Sequence, residues 1–180
     1  MQMLNSPKTH IFLKTYFCYL ILTTLLNSSA IAAETASASY NKVDIQRMVL
    51  EQASQIGISG SLALAVAHVE SNFNPYAQSS KGARGVMQIM PATSRGEYGI
   101  SPEKLWNPRV NISLGLHYLK KLLTRYHGRI DLALSFYNGG SAVDRKGKSR
   151  PQVIPYTKKY VMKVTRQRFI YKKQLRLGIL

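Results

Sequence analysis

The sequence predicts an all-α domain, and three observations carry that expectation. Apolar residues recur at helical spacing in several segments, as in Leu62, Val66, Val69 and Phe73, or Ile112, Leu116, Leu119 and Leu123. Asn, Ser, Gly and Pro fall where such helices would begin and end. No pair of alternating strands, internal repeat or nucleotide-binding glycine motif interrupts the pattern, and any small strand content is expected near residues 82–90. At 180 residues the chain is about one domain.

The chain opens with a weakly basic stretch holding Lys8 and Lys14, then an apolar run over 16–26, then Ala30-x-Ala32. This order is that of a secretory signal peptide, expected over residues 1–32 with cleavage near Ala32 or Ala33. An uncleaved membrane anchor is the alternative, but the apolar core is short and contains threonine. Cys18 lies inside this segment behind Thr15-Tyr16-Phe17, which lacks the small residues of a lipoprotein signal, so lipidation is not expected. The rest of the chain has no cysteine and must fold without disulfides. Residues 33–40 form a Ser/Ala-rich leader expected to be flexible.

Charge sets the second bound. The chain has 25 Lys and Arg against 8 Asp and Glu, and without Lys8 and Lys14 the balance is 23 against 8, a formal +15. Such a protein is drawn to polyanions: nucleic acid, anionic lipid, or a cell wall bearing carboxylates. An exported protein meets the envelope, so a periplasmic or similarly exported location is expected, with no nucleic-acid partner. Gly82-Ala83-Arg84-Gly85 matches the loop of a KH module, but the sheet that module needs is missing.

A first helix is predicted from Asn41, with Ile45, Met48, Val49, Ala53 and Ile56 apolar and Gly57 at its end. A second starts near Ser59 or Ser61 and ends before Pro75, because Asn74 preceding a proline is biased out of the helical region. The first should pack on the second. Residues 77–91 read as an irregular loop folded back onto the second helix, Gly82 and Gly85 allowing positive φ or close approach. Pro91 opens a short helix closed by Gly96 and Gly99, and Asn107-Pro108 opens a longer core helix with Gly128 after it. Asp131 is placed as the cap of a short helix ending at Gly139-Gly140. Residues 141–151 form a basic loop, and a last helix follows Pro155 with Tyr156, Tyr160, Val161 and Val164 inward. Residues 166–180 read as a basic tail of solvated charges, or alternatively as a wall- or partner-binding tail, and the domain proper is assigned to 41–165.

Within the second helix the ionisable groups are His68 and Glu70. Glu70 stacks over Val66 and Ala67, beside the apolar stripe, where water is scarce. Desolvation keeps a carboxyl group protonated, which is what a general acid needs. Spacing alone favours the plainer alternative of a side chain that snorkels to solvent. Two residues apart on a helix, His68 and Glu70 make no zinc motif, and His117 and His127 read as surface residues. Gln88 is hard to explain as core because a buried amide needs partners, which the polar groups of a bound ligand would supply. Met90 either fills a gap or lines a cleft with its flexible thioether, and Tyr137 and Asn138 lie at a helix end from which polar tips reach into a cleft.

Glu70-Ser71-x-Phe73-Asn74-Pro75, then Ser79, then Gly82-Ala83-x-Gly85-Val86-Met87-Gln88-Ile89-Met90-Pro91, closely resembles the catalytic core of the soluble lytic transglycosylases, the peptidoglycan-cleaving family related to goose-type lysozyme. Asn111-Ile112-x-x-Gly115-x-x-Tyr118-Leu119 and Phe136-Tyr137-Asn138-Gly139 look like its later motifs in its order, so the resemblance covers about 49–164. It implies a lysozyme-like fold, Glu70 as catalytic acid and then base, and substrate contacts at Ser79, Gln88, Met90, Tyr137 and Asn138. It also implies that the tyrosine matching Tyr137 hydrogen-bonds the catalytic carboxyl group. No metal or organic cofactor is implied; the partners are peptidoglycan glycan strands, and a monomer is expected. Small stand-alone members often accompany secretion, conjugation or pilus machines, which makes such a setting one expectation.

The chain departs from the family at Tyr156, where many members carry a glutamate that helps organise the site. A hydrolase would normally need a second carboxylate across the sugar. Asp44 and Glu51 sit on the first helix, Asp131 on a cap, Asp144 in a basic loop and Glu34 in the leader. Glu97 and Glu103 match no motif of the family. The substrate's own C6 hydroxyl is therefore the expected nucleophile, with a lysozyme-like hydrolase and a non-catalytic envelope-binding protein as alternatives.

Overall fold

The computed structural model describes residues 40–144 and 150–180. The expected signal peptide, the leader up to residue 39 and part of the basic loop lie outside the described residues. Among the described residues six α-helices form the domain: α1 Lys42–Gln55, α2 Gly60–Ser71, α3 Pro91–Tyr98, α4 Pro108–Arg125, α5 Ile130–Gly139 and α6 Lys158–Arg176, with 3-10 turns at Pro102–Trp106, Gly140–Asp144 and Pro155–Thr157. No helix among the described residues is long and apolar enough to cross a membrane. Among the described residues the extended pairing is confined to isolated bridges, Gln78 with Arg84 and Arg84 with Ile89, of which the second lies within the 82–90 stretch where small strand content is expected and the first reaches outside it.

Local chemistry fixes the helix ends. Asn41 and Asp44 form a capping box at the start of α1, each side chain bonding the other's backbone N–H. Asn107 Oδ1 accepts from Arg109 N and Val110 N to open α4, with Pro108 in the first turn where its missing N–H is harmless. The second helix has no side-chain cap and stops at Asn72, which turns left-handed at φ 52, followed by Phe73 at φ 67. That turn drops the Phe73 ring back into the core, 2% exposed.

Helix α2 is the central element. Residues Ser61 to Ala67 are all buried, so this part of the helix is enclosed on every side rather than amphipathic, while the last turn, His68 to Ser71, is half-buried. Helices α1 and α6 flank it, with α6 making the more extensive contact, and α5 packs on α4 and α6. One core spans Ile45, Val49, Leu64, Val66, Met87, Ile112, Leu116 and Val164, and a satellite cluster gathers Leu122, Tyr126, Leu132, Val143 and Ile154 under the second half of α4.

Several expectations are corrected. Gly96 lies within α3, and Gly99 alone ends that helix in the left-handed region. Asp131 does not cap α5; it sits in the first turn, where it accepts two bonds from Arg129, the residue before the helix. Tyr156 is 69% exposed rather than inward. Tyr40, assigned to the leader, packs against the core. The largest difference is the tail: α6 runs on to Arg176, and Tyr171 within it is 5% exposed. Residues 166–176 are thus part of the domain, because one side of this basic stretch carries Tyr171 and Leu175 against the core while its charges take the other.

Candidate active site

Glu70 stands in the last turn of α2 and is half-buried. Its neighbour Ser71 donates from Oγ to Val86 O at 2.8 Å, which ties the helix end to the returning loop. That loop is clamped from below by Asn111 of α4. The fully buried amide accepts from Met87 N at 2.8 Å and donates to Arg84 O at 2.8 Å and Leu105 O at 3.0 Å. Two glycines make room for the clamp. A Cβ at Gly85, where φ is +74, would lie 2.4 Å from Asn111 Nδ2, and one at Gly115 would lie 2.4 Å from Met87 Cβ. The loop therefore rests directly on α4, and its apolar Val86, Met87 and Ile89 are buried.

Tyrosines surround the carboxyl group. Tyr160 of α6 donates its hydroxyl to Glu70 Oε1 at 2.5 Å. Tyr137 of α5 donates to Met87 O at 2.8 Å, and its ring lies 5.5 Å from that of Tyr118. The hydroxyl bond to Glu70 thus belongs to Tyr160, not to Tyr137 as the resemblance implies; Tyr137 braces the loop instead. The sequence places Tyr160 only on the inner face of the last helix. Its signal is an aromatic hydroxyl on a buried face, which needs a polar partner.

Burial pushes the Glu70 carboxyl up to about 7, with the Tyr160 hydrogen bond pulling the other way. Burial holds the hydroxyls of Tyr137 and Tyr160 well above their ordinary value, and the nearby Glu70 charge adds to this, so both remain neutral donors. Tyr98 is raised to about 12 by burial and by Glu97 and Tyr118, and Tyr118 is raised by burial as well. The arrangement can hold a proton on a carboxyl group at neutral pH and keep one of its oxygens fixed.

The remaining expected site residues are placed less directly. Ser79 Oγ accepts from Ala83 N at 3.0 Å and closes its own turn. Gln88, at φ 48, donates both amide hydrogens within the loop, to Ala77 O and Gly85 O at 3.0 Å each, so its amide nitrogen is committed to the loop backbone. Met90 is 40% exposed ahead of α3. Asn138 is exposed at the end of α5, and neither it nor Ser79 is hydrogen-bonded to Glu70. His117 and His127 are exposed, and no three His, Cys, Asp or Glu among the described residues group as a metal site requires.

Comparison with known proteins places this geometry. The family model of the transglycosylase SLT domain matches residues 47–158. The chain belongs to the transglycosylase SLT domain family. Among curated relatives of this SLT chain, membrane-bound lytic murein transglycosylase C of Edwardsiella ictaluri is 37% identical over 109 residues, covering 52% of this chain and 30% of that protein. A putative soluble lytic murein transglycosylase of Haemophilus influenzae is 38% identical over 99 residues, 52% of this chain and 16% of that one. The chain thus spans under a third of the length of these relatives. Among solved structures, an inactive mutant of the lytic transglycosylase Slt of Pseudomonas aeruginosa matches with TM-score 0.63 and 26% identity, over 80% of this chain and 27% of that one. The 70-kDa soluble lytic transglycosylase of Escherichia coli gives 0.62 and 28%, over 72% and 24%. The all-α, lysozyme-like fold expected from the sequence is the one these structures share.

Proposed function

We propose that this SLT domain is a peptidoglycan lytic transglycosylase that cleaves the β-1,4 bond between N-acetylmuramic acid and N-acetylglucosamine. The observation that carries the proposal is the half-buried Glu70, its carboxyl group raised to about 7 by desolvation, with the Tyr160 hydroxyl on Oε1. Tyr160 fixes one oxygen, so Oε2 is the oxygen that carries the proton. Glu70 protonates the glycosidic oxygen as the C1–O bond breaks. The resulting carboxylate then takes the proton of the muramic acid C6 hydroxyl as that oxygen bonds C1, which returns Glu70 to its starting form. Gln88, with Ser79, Met90, Tyr137 and Asn138, is assigned to the sugar-binding surface around it.

The intramolecular nucleophile is favoured by where the other carboxylates are spent. Glu97 pairs with Lys121, Glu103 with Arg84, Asp131 with Arg129 and Asp144 with Arg125, while Asp44 closes the α1 capping box. Glu51 lies on α1. A tethered hydroxyl needs no base to position water. Digestion of purified peptidoglycan should release muropeptides ending in 1,6-anhydromuramic acid, one water lighter than hydrolytic products. Predominantly reducing ends in the mass spectrum would replace this reading by a lysozyme-like hydrolase, and digestion unchanged by Glu70→Gln would leave an envelope-binding protein.

The proposed place of action is the periplasm or its equivalent, reached through the expected signal peptide, and the proposed setting is a secretion, conjugation or pilus machine crossing the wall. Deleting the gene should then block assembly of one such machine while bulk muropeptide composition stays the same. A general shift in muropeptides with intact assembly would point to ordinary wall turnover.

A further inference from the structure

Large exposed apolar side chains are concentrated on α6 and the residues after it: Met162 at 65%, Phe169 at 70%, Ile170, Leu177, Ile179 and Leu180. They share that surface with a high density of positive charge. Residues 158–180 hold eight Lys and Arg and no Asp or Glu, and none of the ion pairs among the described residues involves α6. Helical spacing interleaves the two kinds. Lys159, Met162, Lys163, Arg166, Phe169 and Lys173 follow one another along one side of a helix about 28 Å long. The opposite side is occupied by Tyr160, Val164 and Tyr171 against the core, so this stripe faces outward.

We infer that the outer stripe of α6 docks the domain flat on an anionic phospholipid bilayer. Charge complementarity selects the occupant. A second copy of this chain would set two unneutralised basic stripes against each other, and the apolar members rule out a face that serves only to be solvated. A bilayer interface offers both requirements at once: a plane of phosphate for the Lys and Arg side chains, and apolar depth immediately beneath for Phe169, Ile170 and Met162. Because α6 also brings Tyr160 to Glu70, docking would hold the candidate active site at a fixed height above the lipid. The inference rests on this surface and is independent of the catalytic reading.

Co-sedimentation of the full chain with vesicles tests it. Vesicles containing phosphatidylglycerol should bind the protein and pure phosphatidylcholine vesicles should not. At about 0.1 M salt, Lys163→Glu/Arg166→Glu/Lys173→Glu should weaken binding by roughly a hundredfold. Phe169→Ser/Ile170→Ser should weaken it by roughly tenfold, with an unchanged circular dichroism spectrum. Absence of vesicle binding overturns the inference. So does binding that the charge reversal abolishes but Phe169→Ser/Ile170→Ser leaves intact, since that is attraction to any polyanion. Polyglutamate binding as tightly as the vesicles would assign the stripe to an acidic protein, and a lipid-free dimer dissolved by Phe169→Ser/Ile170→Ser would assign it to self-association.

Discussion

A carboxyl group donates a proton at neutral pH only if its surroundings keep the proton on it, and at Glu70 burial does so against one opposing hydrogen bond. In the unfolded chain Glu70 titrates near 4.5; in the folded one, near 7. Between these values the unfolded chain has lost a proton that the folded chain keeps, so the residue's contribution to stability falls as pH rises through that window and is fully unfavourable above it. Glu70→Gln removes the penalty. The variant should be catalytically dead, yet more stable in urea at pH about 8 by as much as about 3 kcal/mol, and equal to the parent at pH about 4. Equal stability at both pH values would show that the site is well hydrated. Tyr160→Phe removes the bond that favours the carboxylate, so the pKa rises further. The alkaline limb of the pH–rate profile, expected near 7 in the parent, should move upward while the rate falls. A downward shift would mean that Tyr160 acts on Glu70 in some other way. Tyr156, by contrast, has an exposed ring whose hydroxyl donates to Gly139 O at 3.0 Å. Tyr156→Glu should retain the fold at a loss of about 1 kcal/mol or less, measured by thermal melting.

Among elements, the join between the 77–91 loop and α4 shows why motif residues need not touch substrate. Asn111 and Gly115 stand out in the sequence as part of an ordered motif, and in the folded domain both act mechanically. Asn111 bonds the loop backbone, and Gly115 admits Met87. Gly115 and Gly96 both lie inside helices, where alanine is intrinsically better by up to about 1 kcal/mol. At Gly96 nothing lies within 4 Å of an added Cβ, so Gly96→Ala should gain most of that. At Gly115 the same methyl meets Met87 Cβ at 2.4 Å, and overpacking of about 1–3 kcal/mol outweighs the gain. Gly115→Ala should therefore lower stability, and it should lower cleavage more, since Met87 O is the acceptor that holds Tyr137. Urea titrations of the two variants side by side check the opposite signs. Periodicity, caps and glycines make α1 to α5 legible from sequence to within a few residues. Glu70 is legible as a carboxyl group beside an apolar stripe. The hydrogen-bond partners are not, because Tyr137 and Tyr160 lie 67 and 90 residues away in sequence and nothing local says which hydroxyl reaches Glu70 and which reaches a backbone carbonyl.

At the scale of the whole domain, the feature least legible in the sequence is where it ends. Residues 166–180 look like a solvated tail because five of the fifteen are Lys or Arg and none is acidic, and charge alone does not reveal that Tyr171 and Leu175 fall on the face that Val164 already buries. The Tyr171 hydroxyl lies 2.6 Å from His68 Nδ1, and its ring meets those of His68 and Phe73 edge-on at 5.8 and 6.2 Å. His68 precedes Glu70 by two residues and Phe73 follows it by three, so this aromatic group grips the segment that carries the candidate acid from both sides. Burial, reinforced by the Lys42 charge, holds His68 below its ordinary value, which keeps it neutral and able to share a proton with Tyr171. Loss of a buried aromatic of this size costs about 3–5 kcal/mol, a large part of the roughly 5–15 kcal/mol that a domain has. A chain ending at residue 165, where the sequence places the boundary, should therefore unfold without a cooperative transition or melt far below the full chain, and should show no cleavage. Tyr171→Phe keeps the ring and loses only the hydroxyl bond, so it should stay folded at a loss of about 1 kcal/mol. If the truncated chain instead melts like the full one and still digests peptidoglycan, residues 166–180 are a tail after all and the aromatic grip contributes nothing to holding Glu70 in place.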